Sequence, residues 1–283
     1  MNLQSEIDKI IRRAFDEDVA SGDITTIATV PENVQGKAAF LVKDEGIIAG
    51  LDVTERVFHL LNPGLIFIPY TTNGSKVSQG QIIAEVKGSA SSILTSERTA
   101  LNFLQRMSGI ATLAGRFSEL VKGTKAQIID TRKTVPGLRM LDKLAVVQGG
   151  CRNHRQGLFD MFLIKDNHIA ASGSITRAVE ACREYMKKNN FSSKIEVEVT
   201  TIEQTKEALN SKADIIMLDN FDVRLMKEAV ALINGQALVE ASGGVNLNTV
   251  RPIAETGVDF ISVGALTHSV KAMDISLNLI MNA

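Results

Sequence analysis

A regular alternation of strand-like and helix-like segments runs through the chain from about residue 125 onward. Strands are predicted at QIIDTR, MFLIKDN, KIEVEVT, DIIMLDN, ALVEAS and DFISVGAL, and the last four recur at the spacing of about twenty residues that is typical of βα units. Helices are predicted between them at 174–188, 201–210, 223–233 and 246–256. This alternation favours a parallel sheet, either a barrel or a doubly wound sheet.

The faces of the strands distinguish these two architectures. In KIEVEVT one face carries Ile195, Val197 and Val199, and the other carries Glu196 and Glu198. DIIMLDN and ALVEAS likewise turn polar on one face towards their carboxyl ends. A doubly wound sheet is covered by helices on both faces and needs two-sided apolar strands. We therefore predict a (β/α) barrel, which is incomplete or contains a further strand, because only six strands are clear in the sequence.

The regions flanking this repeat have a different pattern. Residues 34–86 read as short strands separated by glycine turns, and 91–123 reads as a helix with Thr95 or Ser96 as its N-cap. The N-terminal stretch is predicted to be a charged amphipathic helix, and the C-terminal stretch MDISLNLIMNA is also predicted to be helical.

Composition excludes several classes of function. The 283 residues carry a formal charge of −1 and contain no Trp, so neither a basic surface nor a stacking platform for nucleic acid is expected. Only two cysteines are present, which favours a reducing compartment. Neither a signal peptide nor a bilayer-spanning segment is recognised, and we expect a cytoplasmic protein.

One short stretch concentrates positive charge. Between Arg132 and Lys165 there are seven Lys or Arg residues and only two acids, Asp142 and Asp160. The mouth of the predicted barrel would collect residues from the strand ends and from the loop before the second strand: Arg132, Lys133, Arg152, His154, Arg155, Lys165, Glu198, Asp219, Glu240, Ser242 and Gly264. This set predicts a substrate with several negative charges and a polar or cationic centre. The alternative is ion pairing among these residues alone.

The remaining candidates each have two interpretations. The turns ASGGVN (241–246) and SVGALTHS (262–269) are typical of phosphate cradles at helix N-termini, or are ordinary βα turns. Glu198 and Asp219 are expected to bind a metal or hydroxyl groups or to stabilise a developing cation; the alternative is a salt bridge to Lys133 or Lys165. His154 is interpreted as an anion contact, and Cys151 as a small space-filling residue.

The motifs carry a resemblance to a known family. SERTALNF, DTRKTVPGLR, GGCRNHRQGLFD, LIKDNH, the EVEV strand, MLDNF, EASGG and SVGALTHS occur in the order seen in quinolinate phosphoribosyltransferases, and the resemblance covers nearly the whole chain. Leu144 and Cys151 depart from the family pattern, which commonly has an aromatic residue and a glycine there, but neither departure removes a charged group.

The resemblance implies a fold and a reaction. It implies an N-terminal α/β sandwich domain over 1–112, a barrel domain over 113–268 and a C-terminal helix over 269–283 that packs back on the N-terminal domain. It implies transfer of phosphoribosyl from phosphoribosyl pyrophosphate to quinolinate with decarboxylation, which gives nicotinate mononucleotide, pyrophosphate and carbon dioxide. The implied cofactor is Mg2+.

The resemblance also assigns roles to residues of this chain. Lys133, Lys165, Glu198 and Asp219 would be catalytic, and Glu198 and Asp219 would hold the metal directly or indirectly. The implied substrate-binding residues are Arg98, Thr131, Arg132, Lys133, His154, Arg155, Lys165, Glu198, Asp219, Ser242, Gly243, Gly244, Val263, Gly264 and Ala265. Arg98 would act across the interface of a homodimer, with a hexamer of dimers as a larger alternative.

Three other functions stay open at this point. A related phosphoribosyltransferase could act on nicotinate or another pyridine, or serve as a molybdate-transport paralogue, although a monocarboxylate substrate would need fewer cations. GSKVSQGQIIAEVKG resembles part of a biotinyl or lipoyl carrier domain, but the segment occurs once and has no lysine at an evident hairpin tip. The third alternative is a barrel that has lost catalysis.

Overall fold

The computed structural model of the protein describes residues 3–280. The chain forms two compact units. The N-terminal unit comprises the chain up to Gly115, Thr134–Gly150 and the segment from Thr267 onward. The barrel unit comprises Arg116–Lys133 and Cys151–Leu266. The predicted barrel domain over 113–268 is therefore interrupted, because 134–150 belongs to the N-terminal unit.

The helices and strands alternate as the sequence pattern predicts. The helices are α1 (Leu3–Asp18), α2 (Ile24–Thr29), α3 (Leu51–Leu61), α4 (Ala90–Leu120), α5 (Arg139–Gln148), α6 (Asp166–Ser172), α7 (Ile175–Lys188), α8 (Ile202–Asn210), α9 (Val223–Ile233), α10 (Val250–Ala254) and α11 (Ala265–His268). The strands are β1 (Gln35–Val42), β2 (Gly46–Ile47), β3 (Ile66–Pro69), β4 (Lys76–Val77), β5 (Ile82–Ser89), β6 (Gln127–Ile129), β7 (Phe162–Ile164), β8 (Ile195–Val199), β9 (Ile215–Asp219), β10 (Leu238–Ser242), β11 (Phe260–Ser262) and β12 (Ile275–Ile280).

The N-terminal unit is built on an antiparallel sheet in the order β12–β1–β5–β3, and β2 and β4 form a separate antiparallel pair. Its core contains Phe40, Phe58 and Phe67, whose ring centroids lie 6.0–6.1 Å apart. Such aromatic clusters bury a large apolar area in a small volume. A sheet with a helix packed against it agrees with the predicted α/β sandwich.

The predicted C-terminal helix is wrong for the described residues, because 275–280 form strand β12. Its apolar residues alternate with Ser276 and Asn278, and this period of two suits a strand. Ile275 and Leu277 are buried, and the strand pairs antiparallel with β1 from Val42↔Ile275 to Lys37↔Ile280. The segment therefore joins the N-terminal sheet as an edge strand. Residues 281–283 of the prediction lie outside the described part of the chain.

A second correction concerns the start of α4. The helix begins at Ala90, directly after β5, so Thr95 and Ser96 are not its N-cap. Ser96 Oγ instead donates to the carbonyl of Ser92 at 2.7 Å, the back-bonding that serine adopts inside helices.

The barrel unit contains six parallel strands in the order β6–β11–β10–β9–β8–β7. The first and the last of these strands along the chain, β6 and β11, are hydrogen-bonded neighbours, which is the topology of a barrel. The sequence allowed for a further barrel strand. In its place the barrel unit has one isolated parallel bridge, between Ile129 and Arg152. The predicted helices are present as α7 to α10, and Ser174, Thr201 and Asp222 cap three of them.

A buried ion pair joins α4 to α5 inside the N-terminal unit. Arg106 Nε and Nη2 donate to Asp142 Oδ1 and Oδ2 at 2.9 and 2.8 Å, which is the bidentate geometry. The Asp142 side chain is fully buried, and Val135 N–H also points at its Oδ2 at 3.4 Å. This pair fixes the insertion that interrupts the barrel sequence.

Asp142→Ala is expected to lower the free energy of unfolding by about 3 kcal/mol, because it leaves the Arg106 guanidinium without its buried partner. The measurement is the midpoint and slope of urea denaturation. Glu119→Ala is the matched control, since it breaks an exposed pair with Lys122 and should barely move the midpoint. Equal shifts for the two variants would contradict this assignment.

Candidate active site

The carboxyl ends of all six parallel strands open into one cup of about 660 Å³, a volume suited to small ligands. Its lining residues are Thr131, Arg132, Lys133, His154, Arg155, Leu163, Lys165, Glu198, Met217, Asp219, Asn220, Glu240, Ser242, Gly243, Gly244 and Ser262. All of them belong to the barrel unit. Residues separated by more than one hundred positions in sequence meet here because parallel strands end at a common edge.

The lining includes eleven of the fifteen substrate-binding positions implied by the resemblance. It does not include Arg98, which is exposed on α4 of the N-terminal unit, or Val263, Gly264 and Ala265, which directly follow the lining residue Ser262. Arg152, predicted at the mouth, does not line the cup either; its backbone forms a parallel bridge with Ile129 of β6. Leu163, Met217 and Asn220 also line the cup but were not predicted. Their positions at or next to the carboxyl ends of β7 and β9 could have indicated them.

Four cations converge on the cup. Arg132 and Lys133 follow β6, Lys165 follows β7, and Arg155 lies on the preceding loop. Arg155 donates through Nη1 to the Met161 carbonyl at 3.2 Å, but its buried Nε has no hydrogen-bond acceptor among the described residues. Burial first and the neighbouring Arg132 charge second lower the pKa of Arg155. Like charges held this close form a binding site for an anion.

Two carboxylates stand on the adjoining strands. Lys165 Nζ donates to Glu198 Oε2, so the ion pair expected as the alternative for Glu198 is present. Asp219 Oδ2 accepts from the Asn220 side-chain amide at 2.8 Å. Both groups are half-buried. The cup therefore presents a cationic region and a smaller acidic region side by side, as the sequence predicted.

A deeper acidic group lies behind this surface. His154 Nε2 is 3.0 Å from Glu196 Oε2 and 3.5 Å from Glu240 Oε2, and all three side chains are buried. Burial raises the pKa of Glu196 to about 7 and raises the pKa of Glu240 well above its usual value. His154 Nδ1 accepts from the Arg155 backbone N–H at 2.7 Å. Both ring nitrogens thus face protein groups, although His154 also lines the cup, and the anion contact stays a prediction.

The turn after β10 leaves open space beside the cup. Gly243 and Gly244 have φ of +93° and +61°, which glycine adopts without steric cost. A Cβ on Gly243 would lie 2.2 Å from Asn220 Oδ1, whereas a Cβ on Gly244 would meet nothing within 4 Å. The backbone at 242–244 can therefore approach a ligand closely, as the phosphate-cradle interpretation requires.

Cys151 lies in the basic loop but takes no part in the cup. It is buried, and burial followed by the Asp130 charge raises the pKa of its thiol to about 12. A thiol in that state is a poor nucleophile, in agreement with the predicted space-filling role.

Comparisons with known proteins identify a family for both parts of the chain. The family models "Quinolinate phosphoribosyl transferase, N-terminal domain" and "C-terminal domain" match residues 23–108 and 110–278. A mitochondrial, decarboxylating quinolinate phosphoribosyltransferase 2b of Nicotiana tabacum is 45% identical over 97% of this chain and 82% of the relative. A probable carboxylating nicotinate-nucleotide pyrophosphorylase of Bacillus subtilis is 40% identical over 98% and 94%.

Solved structures give the same result. NadC from Streptococcus pyogenes superposes with a TM-score of 0.93 at 38% identity, covering 98% of this chain and 97% of that chain. Human nicotinic acid phosphoribosyltransferase superposes with a TM-score of 0.60 at 10% identity, covering 91% and 72%, which shows a shared fold alone.

Gly243→Ala is expected to destabilise the protein by roughly 1–3 kcal/mol more than Gly244→Ala, because only the first adds a steric overlap to the left-handed backbone cost that both share. Urea denaturation of the two variants gives this difference directly. Titration with inorganic phosphate should show weaker binding for both variants. An order of stability opposite to this would contradict the described turn.

Proposed function

The chain belongs to the quinolinate phosphoribosyltransferase family, and from this premise we propose that the cup is its active site. The enzyme is a pentosyltransferase of NAD biosynthesis. It transfers phosphoribosyl from phosphoribosyl pyrophosphate to quinolinate with decarboxylation and gives nicotinate mononucleotide. The observation that carries the assignment is the convergence of four cations and two carboxylates at one set of strand ends.

The cations match the charges of the substrates. Quinolinate carries two carboxylates, and phosphoribosyl pyrophosphate carries a phosphate and a pyrophosphate. Arg132 and Arg155 can each grip a carboxylate or phosphate with two parallel N–H groups. Lys133 and Lys165 act as point charges that orient either substrate. Ser242, Gly243 and Gly244 cradle the 5-phosphate, with the following segment 263–265 completing the cradle.

The carboxylates serve the reacting carbon. When the bond from the anomeric carbon to the pyrophosphate oxygen breaks, positive charge develops on the ribose ring, and Glu198 and Asp219 stabilise it. The same oxygens accept hydrogen bonds from the ribose hydroxyls. Because Lys165 already pairs with Glu198, substrate binding redistributes this pair. No covalent enzyme nucleophile is required.

The chemistry of this donor set fits Mg2+. Glu198 and Asp219 offer carboxylate oxygens from neighbouring strands, and Mg2+ is commonly held by one or two carboxylates together with substrate phosphates. When bound, Mg2+ supplies charge neutralisation for the departing pyrophosphate. Lys133 and Lys165 contribute to the same neutralisation from the protein.

Decarboxylation follows from the first step. The quinolinate nitrogen forms a bond to the anomeric carbon, and the resulting pyridinium accepts the electron pair left when the bond to the 2-carboxylate breaks. A proton then takes the place of the lost carbon dioxide. The enzyme contributes positioning and electrostatic stabilisation, which together supply most of the rate.

We propose that a homodimer is the active unit, with the partner's Arg98 reaching the quinolinate end of the cup. Arg98 is exposed and does not line the cup of its own chain, which supports an action in trans. Dimers could assemble further into a hexamer of dimers. We also propose a cytoplasmic location, supported by two free cysteines. Among the described residues no helix has the length and apolarity that crossing a membrane requires.

Nicotinate as the substrate is the second candidate. Its single carboxylate would leave part of the cationic region without a counter-charge, and the human nicotinic acid enzyme shares only the fold. Carbon dioxide release from labelled quinolinate, with phosphoribosyl pyrophosphate and Mg2+, separates the two substrates. Nicotinate consumed faster than quinolinate would overturn the assignment.

Lys165→Ala is expected to lower kcat by about 10²–10³-fold, because it removes a charge that stabilises the departing pyrophosphate. Lys133→Ala should have an effect of similar direction. Lys125→Ala is the control, since Lys125 pairs with Asp259 at the opposite end of the strands and does not line the cup. Turnover of Lys165→Ala at the wild-type level with saturating substrates would show that the cationic region is misassigned.

Mixing Arg98→Ala with Lys165→Ala subunits tests the action in trans. Each variant alone should be nearly inactive, but a heterodimer would contain one intact site, so activity should recover to about 25% of wild type after random reassembly. The measurement is pyrophosphate release after the mixture is unfolded and refolded together. No recovery, with dimers demonstrated by light scattering, would rule out the shared site.

A further inference from the structure

His154 is anchored on its backbone and on its ring. Its backbone N–H donates to Asp130 Oδ1 at 2.8 Å, and its Nδ1 accepts from the Arg155 backbone N–H at 2.7 Å. Since a backbone amide is only a donor, Nδ1 carries no proton, and the neutral imidazole must carry its proton on Nε2. The sequence neighbour Arg155 is therefore held through its main chain by the ring.

The Nε2–H faces two buried acids. It lies 3.0 Å from Glu196 and 3.5 Å from Glu240, and these side chains are 0% and 1% exposed. Glu196 Oε1, Glu196 Oε2 and Glu240 Oε1 have no hydrogen-bond partner among the described residues, and burial raises the pKa of both carboxyl groups. Both acids are almost fully buried, and Oε2 is the Glu240 oxygen that faces the imidazole.

A bound metal does not fit this group, although its three potential ligand atoms lie within 4.8 Å of one another. A metal on Nε2 would force the imidazole proton onto Nδ1. That proton would then point at the Arg155 N–H across 2.7 Å, and two donors cannot share such a contact. The arrangement instead suits a fixed chain of contacts from Glu240 through the imidazole to the backbone of Arg155.

Arg155 needs such support. Its guanidinium is partly buried beside Arg132, and the two charges repel each other. The Glu196 carboxyl group attracts the guanidinium. The Arg155 side chain itself makes one direct hydrogen bond, to the Met161 carbonyl. The repulsion would displace the loop unless its main chain were fixed.

We infer that Glu240 is a positioning residue for Arg155 and that it acts through His154. This inference rests on the proposed function, in which Arg155 binds quinolinate in the cup. No established step of the reaction requires Glu240 to touch a substrate. The Arg155 N–H fixes the tautomer, and Glu240 contributes by holding the imidazole in one orientation, so that the guanidinium is in position before the dicarboxylate binds.

The kinetic test compares Glu240→Ala with Glu240→Gln. An amide has the donor and the acceptor of a protonated carboxyl group, so Glu240→Gln should keep a KM for quinolinate within about twofold of wild type. Glu240→Ala should raise this KM about tenfold, the effect of losing one buried hydrogen bond. The KM for phosphoribosyl pyrophosphate should stay unchanged in both. Equal loss in both variants, or an equal rise in both KM values, would overturn the proposal.

A double-mutant cycle tests the route through the imidazole. In a His154→Ala background, adding Glu240→Ala should change the KM for quinolinate by less than about twofold, because residues acting through one contact are not additive. Fully additive effects would overturn the proposal. Glu85→Ala is the control for losing a buried strand carboxyl, since Glu85 pairs with Lys37 in the N-terminal unit. It should lower stability without changing this KM.

A spectroscopic test needs no turnover. Long-range 1H–15N spectra report the tautomer of each histidine, and the chain has four, so His154→Ala assigns the signal. The wild type and Glu240→Gln should show the same Nε2–H signal for His154, and Glu240→Ala should shift and broaden this signal because the ring loses its fixed orientation. A wild-type Nδ1–H signal would overturn the inference even if quinolinate is the substrate. Failure of the wild type to convert quinolinate, with Nε2–H present, would instead overturn the proposed function alone.

Discussion

The architecture of the cup depends on holding like charges close together before any anion arrives. Arg132 and Arg155 share a partly buried space, and the pKa of Arg155 is lowered as a result. That arrangement is unfavourable by itself and persists only because the surrounding structure supports it. Six parallel strands with apolar outer faces provide the support, since residues such as Val197 and Val199 are fully buried behind them. An anion that binds between the two guanidinium groups offsets their repulsion. The site is preorganised because both groups are already in place before the anion binds.

The carboxyl groups of the barrel unit lie at different depths below the surface of the cup. Glu198 lies near the surface of the cup and pairs with Lys165, beside the proposed ribose site. Glu196 and Glu240 are more deeply buried, and burial raises the pKa of both. Carboxyl groups of one sheet thus take different roles because their exposure to water differs.

Much of the fold followed from periodicity. The repeat of strands and helices identified all six barrel strands, and the two-faced strand KIEVEVT indicated the barrel before any contact was known. The C-terminal strand was missed because a short amphipathic run such as ISLNLI fits either period when its partner is unknown. Pairing with β1 decides the matter, and that partner is more than two hundred residues away in sequence. The insertion at 134–150 was missed for the same reason, since its anchor is the Arg106–Asp142 pair.

The sequence by itself determined which residues could form the site. Charged side chains at strand ends had to meet, because parallel strands share one edge, and the glycines after β10 had to mark a close approach of the backbone. Only the tertiary structure decided how those residues divide their work. Whether His154 faces a ligand or a pair of acids depends on which groups surround its ring. That environment is assembled from β8, β10 and a loop, and no local pattern specifies it.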